Sequence, residues 1–80
     1  MIEISLEEYT NLIKNDFKKD NSYLTDNEVN KYFESDEVKK TISDSYKSNM
    51  KRYEAGKITF KVFTIGCVAS VANCLTYMYE

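Results

Sequence analysis

The chain has no histidine, no proline and no tryptophan, and its 80 residues include two glycines and two cysteines. Without histidine, the commonest general base and the commonest transition-metal ligand are both missing. Proline is absent and no stretch alternates with period two for long enough to read as a strand, so the chain reads as all helix. Cys67 and Cys74 are seven positions apart, about 10.5 Å of helical rise, which exceeds the roughly 7 Å between Cα atoms that a disulfide spans. They read as reduced thiols in a cytoplasm. The acidic start MIEISLEEY lacks the basic and apolar regions of a secretory signal.

A strong excess of either charge is also missing. Lys and Arg number 11 against 13 Asp and Glu, a net charge of −2 that gives no bulk attraction to a phosphate backbone. With 42% hydrophobic and 30% charged residues the chain has the composition of a folded domain. At this length residues 1–80 make a single domain, one that leaves much apolar surface near water.

What is present is helix grammar. In ISLEEY, Ser5 and Glu8 form a capping box and Ile4 can staple onto Tyr9, so a helix begins at Leu6. Leu6, Tyr9, Ile13 and Phe17, with Leu12 at the margin, make its apolar stripe until the polar run Lys18–Ser22 ends it. LTDNEV repeats the device with Thr25 and Glu28, and a short helix follows carrying Val29, Tyr32 and Phe33. Ser35 or Asp36 caps a third helix with Val38, Ile42, Tyr46, Met50 and Tyr53 on one face; it stops at Gly56, whose freedom at positive φ suits a C-cap. The second and third helices read either as separate or as one bent rod.

Thr59 caps the last helix after a link too short for anything but an antiparallel hairpin with the third. Eighteen uncharged residues, Val62 to Tyr79, follow Lys61. At 100° per residue, Phe60, Phe63, Cys67, Val71, Cys74, Leu75 and Met78 share one side, and Gly66, Ala69, Asn73, Thr76 and Glu80 form a small or polar stripe opposite. A helix facing lipid all round needs no such stripe, so the segment reads as the central helix of a bundle. The sequence therefore predicts an all-α fold, a small bundle of three longer helices and one short one, with the apolar C-terminal helix at its centre.

Carboxylates, lysines, tyrosines and thiols remain for catalysis, and none stands in a recognisable frame. Adjacent acids such as Asp36 and Glu37 diverge on a helix, and thiols on an apolar face stay protonated. The reading is of no enzyme, no cofactor, no metal and no small-molecule substrate. It is of a cytoplasmic protein–protein interaction or regulatory module, self-associating or bound to a protein partner. The contact candidates are Tyr23 in a loop, Tyr77 and Tyr79 flanking the last helix, and Asp20 and Glu34 in the acidic stretch from Asp20 to Glu37. That stretch serves either as a docking surface or only as helix-capping charge.

A second reading is a small DNA- or RNA-binding regulator using Lys40, Lys47, Lys51, Lys57 and Lys61. Against it, Asp44 and Glu54 lie on the same face at spacings expected to give a ladder of surface ion pairs. A third reading is a tail-anchored membrane peptide held by residues 62–79, which reach the lower limit of a spanning length.

Overall fold

The computed structural model of the protein describes residues 4–79, and among these the regular structure is helical. Helix α1 spans Leu6–Asp20, α2 Asp26–Phe33, α3 Asp36–Glu54 and α4 Cys67–Tyr79. Phe60 and Lys61 open the last rod, and a π-helical turn over Val62–Gly66 carries it into α4.

The starts and stops obey local chemistry. Glu8 N–H donates to Ser5 Oγ at 3.1 Å, and Ser5 N–H points back to Glu8 Oε1 at 3.4 Å. Thr25 and Glu28 repeat the exchange at 3.2 and 3.0 Å. Each box satisfies orphan donors that a bare helix start would leave open. Ser35 caps α3, so α2 and α3 are separate helices divided at Glu34 and Ser35. Lys57 N–H donates to Arg52 O and Gly56 N–H to Tyr53 O, the paired bonds of a Schellman ending, with Gly56 at φ +74°. Thr59 Oγ1 then accepts from Val62 N–H and starts the last rod.

That rod packs chiefly on α1 and also touches α3, and α1 contacts α2 and α3 in turn. It runs alongside α1 in the same direction: Tyr9 stacks on Phe63 with ring centroids 5.3 Å apart, and Phe17 meets Tyr79 at 6.2 Å near the other end. Against α3 it forms the antiparallel hairpin, with Tyr53 meeting Phe60 and Phe63 beside the link. Two aromatic groups result. One gathers Tyr9, Tyr46, Tyr53, Phe60 and Phe63, and the other Phe17, Tyr32, Phe33 and Tyr79.

Ile4, Ile13, Val29, Val38, Ile42, Val68, Val71, Ala72 and Leu75 complete the core. Each large side chain so buried contributes about 1.5–3 kcal/mol relative to exposure. Buried tyrosines need partners for their hydroxyls. Tyr46 donates to Ile4 O at 2.6 Å and Tyr32 to Leu75 O at 2.9 Å, while Tyr9 accepts from Asn49 Nδ2 at 3.2 Å. Burial pushes the Tyr9 and Tyr32 phenols above their ordinary range.

Several sequence expectations for the last rod are corrected. Cys74 and Met78 are exposed, whereas Val68 and Ala72, assigned to neither stripe, are buried. Thr76 is half-buried against α1, and Glu80 lies outside the described residues. Leu6, expected on the stripe of α1, is 41% exposed. The cause in the last rod is the π turn. A π bulge adds one residue without a matching rise, so the face beyond it turns back by about 100°. With that residue discounted, Phe60 and Phe63 share a side with Cys67, Val68, Val71, Ala72 and Leu75.

Candidate interaction surface and polar groove

The turned register decides what the last rod shows to water. Val62 is 44% exposed, Ile65 59% and Tyr77 78%. Ser70, Asn73 and Cys74 are exposed with them, and no charged side chain occurs from Val62 to Tyr79. This stretch is long and apolar enough by length and composition to cross a membrane, although a third of it, 33%, is buried inside the fold. The result is a continuous uncharged outer face on a protein otherwise covered with Lys, Asp and Glu.

The residues marked in the sequence fall in different places. Tyr77 stands on the uncharged face, and Tyr23 is exposed in the α1–α2 link, its hydroxyl 3.4 Å from Asn21 Oδ1. Tyr79 folds back instead: its ring lies 4.8 Å from that of Tyr32 and 6.2 Å from that of Phe17, so it covers one end of the core. Asp20 is the exposed last residue of α1, and Glu34 is the exposed C-cap of α2. Among the described residues no hydrogen bond, ion pair or ring contact joins these five into one site.

The acids at the start of α2 act locally. Asp26 pairs with Lys18 at 2.7 Å, and the hydrogen bond and charge of Lys18 hold its carboxyl below the usual range. Glu28 is held low by the backbone N–H and hydroxyl of Thr25.

Lys40, Lys47, Lys51, Lys57 and Lys61 are all exposed. The expected ladder with Asp44 and Glu54 does not form. Among the described residues the ion pair within 4 Å is Lys18–Asp26. Exposed pairs on a helix gain so little in water that side-chain entropy keeps them apart.

A groove of about 290 Å³ opens where α3 passes the π turn. Ser45, Asn49 and Arg52, at steps of four and three, give α3's wall, and Val62, Gly66, Cys67, Ser70 and Val71 give the other. Arg52 Nη1 donates to Asn49 Oδ1 at 3.3 Å, and Asn49 Nδ2 donates to the buried Tyr9 hydroxyl. The guanidinium is thus tied through one amide to the core. One cation and no carboxylate line this groove.

Sequence reasoning passed over it because Arg52 and Asn49 look like ordinary solvent-face residues; the spacing of Ser45, Asn49 and Arg52 was the available signal. A second, mostly apolar groove of about 480 Å³ lies between α1 and α3, lined by Leu6, Thr10, Phe33 and Ile42 among others. Comparisons with known protein families, with curated proteins and with solved structures find no match for this chain.

Proposed function

We propose that the protein is a non-catalytic, cytoplasmic interaction module that self-associates through the outer face of its last rod. The observation that carries this reading is the uncharged face with Val62, Ile65 and Tyr77 exposed along it. Exposed apolar patches rimmed by polar residues are typical contact sites, and a two-fold dimer lays one patch on its own copy. Such a pairing meets no charge from either copy, so no ion has to be stripped of water. The unbridged thiols, Cys67 and Cys74, suit a reducing compartment.

Gel filtration with light scattering on the full chain tests it. Ile65→Lys and Tyr77→Ser should each shift the protein toward monomer with the helical signal kept, and Lys47→Glu with Lys51→Glu should not. A monomeric parent at high concentration overturns the reading. Flotation with uncharged phospholipid vesicles, resistant to salt, would assign the face to lipid instead.

A second reading, contact with DNA or RNA, is favoured by one observation: the five lysines named above are free of carboxylate partners within 4 Å among the described residues. Binding of duplex DNA that weakens steeply with salt and is lost in the double lysine variant would put this reading first.

A further inference from the structure

We infer that the groove between α3 and the π turn is a binding site for a small oxyanion, a carboxylate or a phosphate. The inference stands apart from self-association. A guanidinium offers five N–H donors in a planar fork matched to two oxygens of such a group. Arg52 spends one of them on Asn49, and no carboxylate of the described residues lies within 4 Å to occupy the rest. The amide of Asn49 is oriented by its bond to Tyr9, and its oxygen accepts from the exposed Arg52 at the rim, a contact that biases the guanidinium toward the groove.

Two hydroxyls line the groove, one on each wall. Ser45 lies two turns before Arg52 on α3, and Ser70 lies one turn beyond Gly66 across the groove. Gly66, with no side chain, keeps the mouth open. A Cβ there would meet only Val62 Cγ1, at 3.6 Å, an ordinary contact, so glycine is not required by packing. The volume sits at the lower end for ligand pockets, which suits an anion of a few atoms more than a nucleotide. Residues of the π turn, Val62 and Gly66, form part of its wall, and bulges of this kind recur at functional sites.

Two-dimensional NMR of the full chain, titrated at constant ionic strength with inorganic phosphate and in parallel with acetate, tests the site. Saturable shifts at the amides of Ser45, Asn49, Gly66 and Ser70 are expected in at least one arm; which arm saturates tells phosphate from carboxylate. Arg52→Gln should weaken binding at least about tenfold, Arg52→Lys should fall between, and Lys47→Gln should leave it unchanged. Gly66→Leu, which puts a bulky apolar side chain on the wall facing α3, should also weaken it. Non-saturable shifts in both arms, or equal affinity in parent, Arg52→Gln and Gly66→Leu, would overturn the assignment.

Discussion

Asn21 and Thr76 are 55 residues apart in the chain and 3.0 Å apart in space, Asn21 Nδ2 donating to Thr76 Oγ1. Asn21 is 3% exposed, and its side-chain amide also donates to Phe17 O at 2.9 Å, a carbonyl that already accepts the Asn21 backbone N–H at 3.0 Å. This side chain is the buried polar tie between the end of α1 and α4. A buried amide is tolerated because it is bonded. Thr76→Val should cost about 1 kcal/mol and Asn21→Leu about 1–3 kcal/mol, with a non-zero coupling in a double-mutant cycle followed by urea unfolding.

The turned register of the last rod separates two neighbouring substitutions. Val71 is 6% exposed on the core side, so Val71→Asp buries an unpaired carboxylate and should unfold the domain, whose whole stability is on the order of 5 kcal/mol. Cys74 is exposed, and Cys74→Asp should cost under about 1 kcal/mol. Circular dichroism of the two variants under urea checks this. Equal destabilisation would return Cys74 to the core.

Deletion distinguishes a π turn from a uniform helix. Removing Ile65 takes out the extra residue and lets the rod continue as α-helix with both buried faces still aligned, so the fold should survive and the polar groove should narrow. Removing Ala69 instead turns Val71, Ala72 and Leu75 by about 100° away from α1, and cooperative thermal unfolding should be lost.

Gly56 is the position where backbone conformation excludes other residues. Nothing lies within 4 Å of a Cβ placed there, so the cost of Gly56→Ala is conformational, arising from φ +74°. It should be about 1–2 kcal/mol, a fall of several degrees in the thermal midpoint. An unchanged midpoint would remove the C-cap argument.

Acid should loosen the start of α2. The folded pKa values of Asp26 and Glu28 lie below their unfolded ones, so both groups stabilise above the unfolded values near ~4, and that contribution is lost as pH falls through the folded values. The thermal midpoint should drop between about pH 5 and pH 3, and the double variant Asp26→Asn with Glu28→Gln should flatten that drop. A slope unchanged in the double variant would place the acid sensitivity elsewhere.

The sequence by itself determined everything decided within a turn or two of helix. Ser5 with Glu8, Thr25 with Glu28, Ser35, Gly56 and Thr59 mark starts and stops because capping bonds span three or four residues and need no distant partner. The apolar stripes of α1 to α3 were legible for the same reason: a helix of constant pitch turns spacing into a face. Only the tertiary structure decided the π turn. Phe60 and Phe63 meet Tyr53 and Tyr9, while Val68, Val71, Ala72 and Leu75 fill the same core, and a uniform helix would spread these residues over about half its circumference, with Val68 and Ala72 turned furthest away. The fold resolves the conflict with one extra residue over Val62–Gly66. That choice exposed Cys74, turned Thr76 onto Asn21, and opened the groove beside Arg52. None of these follows from local spacing, because each depends on which distant residues compete for the same buried volume.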